Sequence, residues 1–478
     1  MRSLRLMVCA MFFLPMLYSC KTEVKQPNIV VLLCDDLGYG DLSSYGHPVI
    51  QTPNLDEMAS KGIRLTDCYS AAPVCSPSRV GLLTGRSPNK AGVYDFIPGL
   101  KKSEDCRDMV HLQAKEKTIP ALLKSVGYTT CLSGKWHCSS RFNSPEQPQP
   151  DYFGFDHWFS THNNAAPSHE NPNNFVRDGQ KVGEIKGFSC QIVVDEALTW
   201  LQKIGKKKPF YLQVCFHEPH EPIASPSEMV AKYRPFSQSD NEAEYYANVA
   251  NMDSAVGRLL DYLEANYSEN TLVIFTSDNG PETLNRYPRA QHSYGSPGPL
   301  KGMKLWTNEA GFRVPGIIYW IGQPTFKGTS NTVVSSLDFL PTFCDLAGAE
   351  LPNRTLDGQS IVPFIKEGVM QREKPLIWIF YNALNDRVVA MRDGDWKIMA
   401  TLKNDTTMLP NIRNIYDGNE ALIKQASLDD FVMYNLKEDV TESQDLSTTY
   451  PEVFEKMKLK LKSEYKSLVD SSFVWHRE

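Results

Sequence analysis

No segment of this chain repeats another, no tract is compositionally simple, and positive charge is not in excess. Each lack removes a class of protein. The absence of repeats excludes solenoids and propellers. With 50 Lys and Arg against 56 Asp and Glu, the formal net charge is -6, so no basic stripe marks a nucleic-acid surface, and nucleic acid is not an expected partner. The eleven cysteines include no close CxxC pair, and Cys131 and Cys138 lack the spacing of a zinc array. Long apolar runs are nearly absent. The exception, Leu6 to Leu17 behind Arg2 and Arg5, is too short and wrongly flanked for a stable membrane span and reads as an export signal. Leu17, Tyr18, Ser19 and Cys20 then resemble a bacterial lipobox, with Tyr18 an unusual occupant. Residues 1–19 are therefore expected to be a signal peptide and Cys20 to carry a lipid, giving an exported protein, periplasmic or anchored to the outer membrane, that meets the membrane only through that lipid.

What remains is the composition of a globular protein, 41% hydrophobic and 22% charged, long enough for one large or two unequal domains. Ile29 to Cys34 is a continuous apolar run of strand length, the kind buried on both faces of a parallel sheet, and it ends at Asp35, Asp36 and Gly38. Thr271 to Phe275 repeats the design and ends at Asp278, Asn279 and Gly280. Two buried strands ending in hard oxygen donors predict one site above their carboxyl ends, where open α/β sheets place ligands. Further strands are expected over Pro209–Phe216 and Val314–Trp320, and helices over Asn54–Lys61, Ile119–Ser125, Val193–Ile204 and Ala247–Glu264. Residues 143–179, rich in proline, asparagine and aromatics, read as loops. After Arg372 short strands are expected at Pro375–Tyr381, Arg387–Arg392 and Trp396–Leu402, then a helix from Pro451 to Leu468. The expected architecture is an α/β domain over residues 20–370 with a large, mixed, mostly parallel sheet flanked by helices, and a smaller α+β domain over 371–478 with an antiparallel sheet.

The chemistry-bearing residues cluster in a few runs. Cys75, Ser76, Pro77, Ser78 and Arg79 precede Leu82, Leu83, Thr84, Gly85 and Arg86. Ser76 suits an N-cap and Pro77 a first helical position, which puts Cys75 at a helix N-terminus where free N–H groups favour an anionic oxygen, with Arg79 one turn in. A small buried residue ahead of an ordinary helix would read the same way. Asp35, Asp36, Asp278 and Asn279 are hard ligands for calcium, or less readily magnesium, although each pair is also a common turn former. Lys135 and His137 lie in Gly134–His137, His220 follows Pro219 at the end of an expected strand, and Lys304 precedes Glu309, Ala310, Gly311 and Arg313.

These motifs, in this order, resemble those of the type I, formylglycine-dependent sulfatases over nearly the whole chain after the export signal. The stretch from Asp35 through Arg86 is especially similar to the bacterial glycan sulfatases and to N-acetylgalactosamine-6-sulfatase. The resemblance implies an alkaline-phosphatase-like fold and a sulfuric ester hydrolase acting on carbohydrates, with galactose or N-acetylgalactosamine sulfates as first expectation. It implies that a maturation enzyme oxidises Cys75 to formylglycine (3-oxoalanine). One hydroxyl of the hydrated aldehyde attacks sulfur and the other expels sulfate. It further implies one Ca2+ held by Asp35, Asp36, Cys75, Asp278 and Asn279. Arg79, Lys135 and Lys304 oppose charge on the sulfuryl oxygens, His220 protonates the leaving oxygen, and His137 takes the second hydroxyl's proton. Two departures stand out: Cys138 follows His137 where leucine is usual, and Ala310 replaces a glycine. For the sugar, the loop residues Tyr94, Asp95, Trp158, His162, Asn163, Asn164 and His169 have suitable chemistry. The rival readings are a phosphonate or phosphate ester hydrolase of the same superfamily and a catalytically silent lipoprotein that binds sulfated glycans.

Overall fold

Strand β1 (Asn28–Cys34) shows why the chain folds as it does. Ile29, Val31 and Leu33 enter one apolar core while Val30, Leu32 and Cys34 enter another, and none is exposed. A strand with alternate side chains in two cores must have layers on both faces, so an uninterrupted apolar run is what it requires. The computed structural model describes residues 26–99, 102–287, 290–404, 407–409 and 411–477; the expected signal peptide and Cys20 lie outside them. Among the described residues, no helix is long and apolar enough to cross a membrane.

The large sheet also contains β2 (Ile63–Tyr69), β3 (Thr129–Lys135), β4 (His157–Thr161), β5 (Val176–Arg177), β6 (Gln180–Lys181), β7 (Phe210–Cys215), β8 (Thr271–Ser277), β9 (Arg313–Ile321), β10 (Gly328–Ser330) and β11 (Val334–Ser335). Its order is β10-β2-β9-β8-β1-β7-β3-β4-β5-β6, with β11 beside β2. Strands β8, β1, β7, β3 and β4 run parallel, whereas β9 is antiparallel to both neighbours. The mixed, mostly parallel sheet is as expected. Helices α1 (Pro53–Lys61), α4 (Ser189–Ile204) and α5 (Asp240–Asn266) contribute to the core on one face. Helices α2 (Cys75–Thr84), α3 (Ile119–Ser125) and α6 (Phe339–Ala347) contribute to the other. Helix α5 starts seven residues before its expected first residue because Ser239 caps it, its hydroxyl accepting from the Glu242 N–H at 3.1 Å.

The second sheet comprises β12 (Leu376–Ile379), β13 (Val389–Asp393), β14 (Trp396–Asn404), β15 (Thr407–Met408) and β16 (Ser427–Asn435), all paired antiparallel. The last helix, α7 (Pro451–Asp470), has Pro451 at its start and buries Met457, Leu461, Tyr465 and Leu468, one stripe at helical spacing. The opposite face of this sheet packs on the large domain. There the Trp378 ring stacks on Phe312 with centroids 3.9 Å apart, and Tyr69 joins them.

Two expectations fail, and one strand was not foreseen. Residues 143–179 are not all loop, since they hold β4 and β5, the latter paired with β6 just beyond; His157, Ser160 and Thr161 hid a five-residue strand among polar neighbours. Strand β2 was not anticipated because Arg64 and Asp67 break its apolar pattern; Asp67 is buried only because Arg313 and Arg392 pair with it. Helix α2 begins at Cys75, and Ser76 is not its cap. The Ser76 hydroxyl instead accepts the Ile97 N–H at 2.9 Å.

Candidate active site

Five segments that end or follow neighbouring elements converge at one end of the large sheet. The β1–β8 register pairs Cys34 with Ser277, so the next residues of each strand, Asp35 and Asp36, Asp278 and Asn279, emerge side by side. The Asp36 N–H donates to Asp278 Oδ1 at 3.3 Å, and Asn279 Nδ2 donates to Asp36 Oδ1 at 2.8 Å. Lys135 ends β3, and Gly134 before it has φ +110°, with an added Cβ falling 1.8 Å from the Cys215 carbonyl oxygen. Only glycine permits that approach of β3 to β7. Asp36, His137 and Leu305, the last adjoining Lys304, have left-handed backbone with φ of 65°, 52° and 66°. Such strain persists where surrounding structure imposes it and clusters at functional sites.

Charges in the cluster interlock. Arg79 Nε donates to Asp278 Oδ2 at 2.8 Å, Nη2 lies 2.7 Å from the same oxygen, and Nη1 donates to the Lys135 carbonyl at 3.1 Å. Lys135 Nζ donates to Asp35 Oδ2, and Lys304 Nζ to Asp36 Oδ2 at 2.7 Å. Three carboxylates thus face three fixed cations, all buried. Burial pushes the Asp35 carboxyl up, but Lys135, His220, Arg79 and Lys304 outweigh it and hold the group well below the usual carboxylate range. For Asp278 burial wins over Arg79, and Asp35 adds repulsion, so its pKa rises to about 7. Burial also raises the Cys75 thiol to about 11, against the pull of Lys135 and Lys304.

The two histidines differ in their available nitrogens. His137 Nε2 lies 3.0 Å from the Ile97 carbonyl, to which it can only donate, leaving Nδ1 as the lone-pair nitrogen, buried and without a partner among the described residues. Burial, then Lys135, His162 and Arg79, hold His137 well below its ordinary pKa, so it is a neutral base. His220 Nδ1 donates to the Glu221 carbonyl at 2.6 Å, and Nε2 lies 3.6 Å from Asp36 Oδ2. His217 stands apart from this work. It is fully buried, with Nε2 2.8 Å from Thr161 Oγ1.

A cation fits the acidic cluster. Asp35 Oδ1 and Asn279 Oδ1 are buried without hydrogen-bond partners among the described residues, and single atoms of Asp35, Asp36 and His220 lie within 4.8 Å of one another. Carboxylate and amide oxygens are the donor set of a hard divalent ion.

Of the residues expected to meet a sugar, four are not free to do so. Trp158 is buried, Tyr94 donates to the Phe473 carbonyl, Asp95 accepts from Asn382, and His169 is fully buried beside Asn248. His162 remains part-exposed, its ring 5.5 Å from that of His137 and Nε2 on the Ser139 carbonyl, and Asn164 follows two residues on. The structure adds a cleft beside Asp36 and His220, lined by Glu282, Tyr287, His292 and Ser293. These residues were missed, although a run such as Arg286, Tyr287, Gln291, His292 and Tyr294 between two site motifs is itself a signal of a binding loop.

Known proteins resemble this chain over most of its length. Human N-acetylgalactosamine-6-sulfatase is 33% identical over 394 residues, covering 79% of this chain and 70% of its own. Human arylsulfatase A is 32% identical over 418 residues, covering 81% and 78%. The crystal structure of Ps i-CgsB in complex with k-i-k-neocarrahexaose matches with a TM-score of 0.74 and 26% identity, over 94% of this chain and 95% of that one. A C-terminal family model, that of N-sulphoglucosamine sulphohydrolase, matches residues 303–421. The sulfatase family model matches residues 27–349, and the chain, whose paired carboxylates and three buried cations gather near the cysteine that begins α2, belongs to the sulfatase family.

Proposed function

We propose that this sulfatase removes sulfate esters from galactose or N-acetylgalactosamine residues of glycans, with Cys75 oxidised to formylglycine and calcium as its metal. The observation that carries the mechanism is the placing of Cys75. It is 3% exposed at the start of α2, in the field of Lys135 and Lys304 on one side and of Asp35 and Asp278 on the other. As formylglycine, position 75 supplies a hydrated carbonyl with one hydroxyl to attack sulfur and a second whose deprotonation releases sulfate. Asp35, Asp36, Asp278 and Asn279 would hold the calcium ion, which supplies Lewis acidity and countercharge.

The other steps belong to side chains. Lys135 and Lys304 offer ammonium groups to the sulfuryl oxygens, and Arg79, held by Asp278, adds a third cation. His220 Nε2 delivers a proton to the departing sugar oxygen: burial, then Lys304, lower its pKa and make its charged form a ready donor, and Asp36, 3.6 Å away, offsets them in part. His137 Nδ1 accepts the proton of the second hydroxyl. The sugar assignment is supported by the human relative named for N-acetylgalactosamine 6-sulfate and by the carrageenan-type oligosaccharide in the Ps i-CgsB structure. The leader and lipobox-like pattern support export and lipid attachment at Cys20, and the run from Cys75 to Arg79 supports a formylglycine-generating enzyme as the maturation partner.

The test is a panel of galactose and N-acetylgalactosamine monosulfates set against phosphate monoesters and phosphonates, ranked by kcat/KM. Preference for a sulfated sugar supports the reading; a phosphonate or phosphate as best substrate refutes it. The Cys75 peptide of active protein should weigh about 18 Da less than its thiol form. Cys75→Ser should fold normally and fail to turn over repeatedly; full turnover by that variant would exclude the aldehyde.

A further inference from the structure

The segment that carries Lys304 is gripped from both domains. On the large-domain side, the Lys304 N–H donates to the Pro281 carbonyl and the Leu305 N–H to the Pro73 carbonyl, two residues before Cys75, each at 2.8 Å. On the other side the second domain takes hold. The Leu384 N–H donates to the Leu305 carbonyl at 2.9 Å, and Asn385 Oδ1 accepts the Thr307 N–H at 2.9 Å. The deepest hold is an ionic one. Lys397, from the middle strand β14, is fully buried and places its ammonium 2.9 Å from Glu309 Oε1 and 2.8 Å from Glu442 Oε1. Glu442 Oε2 accepts the Glu309 N–H at 2.8 Å, and its backbone carbonyl accepts Lys301 Nζ at 3.0 Å.

Glu442 itself is costly to place. It is a fully buried carboxylate with φ 50°, on a turn that Asp439 fastens through the N–H groups of Ser443 and Gln444. A left-handed, buried acid is retained only where its contacts over-determine it, and besides Lys397 these contacts reach Lys301 and Glu309, which flank Lys304. Lys301, although exposed, is part of the same hold.

We infer that Lys397 and Glu442 are positioning residues for Lys304: the second domain sets where that ammonium stands relative to position 75. This rests on the reading of Lys304 as a sulfate-holding cation.

Inorganic sulfate, the reaction product, is a direct probe, and its binding to the metal-loaded mature protein can be measured by calorimetry in a double-mutant cycle. Lys397→Met should weaken sulfate about tenfold or more in the wild-type background, and less than about threefold when Lys304→Ala is already present, because residues acting through one group are not additive. Equal weakening in both backgrounds, or none in the first, overturns the inference. Should Lys397→Met fail to fold, Glu442→Gln, which keeps an oxygen acceptor for the Glu309 N–H, runs through the same cycle: weakening that depends on Lys304 supports the inference, and weakening independent of Lys304, or none, overturns it. If Lys304→Ala alone leaves sulfate affinity unchanged, the reading of Lys304 falls, and the positioning inference falls with it; that result is separable from the others.

Discussion

Gly134→Ala is the sharpest perturbation the site offers. The new methyl would lie 1.8 Å from the Cys215 carbonyl oxygen, where ordinary contact begins at 3.4 Å, so β3 and β7 must part by about 1.6 Å at the pair Gly134 and Cys215. Two costs add: roughly 1–2 kcal/mol for alanine in a positive-φ conformation and roughly 1–3 kcal/mol for overpacking a closed contact. Loss of about 2–5 kcal/mol is the expected outcome. The movement falls directly on Lys135 and, three residues on, His137. A misplacement on the order of 1 Å costs about a hundredfold in rate, so kcat/KM should fall by about that factor even in folded protein. Gly127→Ala supplies the control, since Gly127 has φ +98° but nothing within 4 Å of its added Cβ. It should cost only the backbone part, about 1–2 kcal/mol, and leave activity unchanged. Chemical denaturation and steady-state kinetics on both variants decide the matter. Wild-type activity and stability in Gly134→Ala, or equal damage in the two, would refute the reasoning.

Two other outcomes follow from the same contacts. Chelation should remove activity, and Asp36→Asn should raise the calcium concentration needed to restore it by at least about tenfold, read by titrating calcium into chelator-treated enzyme. His292 should make stability pH-dependent. Burial lowers its pKa, but hydrogen bonds to Glu221 and Glu244 outweigh burial and carry it from 6.5 to about 9. The folded state therefore binds the proton more tightly, and this contribution is complete below pH 6.5 and lost as pH rises through 9. Thermal unfolding between about pH 6 and 10 should show that loss in wild type and its absence in His292→Gln; parallel curves would count against it.

How much of this was legible in the sequence depended on where each signal was spent. Strands β1 and β8 were readable because a doubly covered strand needs an unbroken apolar run, and their terminal acids pointed to one site. Strand β2 was not, because Arg64 and Asp67 look like surface residues until Arg313 and Arg392 are brought beside Asp67 from far along the chain. Local chemistry also misled where tertiary partners claimed it. The Ser76 hydroxyl suits a cap but is taken by Ile97, and Tyr94 and His169 suit a sugar but are taken by Phe473 and Asn248. The lysine, arginine and histidine positions were legible as motifs, yet the pairing of each cation with a particular carboxylate was not, since it depends on distances no spacing encodes.

The side-by-side emergence of Asp36 and Asp278 has a consequence for assembly. The contact between them closes a chain separation of 242 residues, and it forms only when β1 and β8 pair in register. Loop closure on that scale is slow and its reward arrives late. The oxygen cluster is thus a late product of folding: a nascent or truncated chain that stops short of β8 possesses Asp35 and Asp36 but no place for a cation. With the proposed calcium site, ion capture would report completion of the whole α/β body, and added calcium should stabilise the finished protein without accelerating its early collapse.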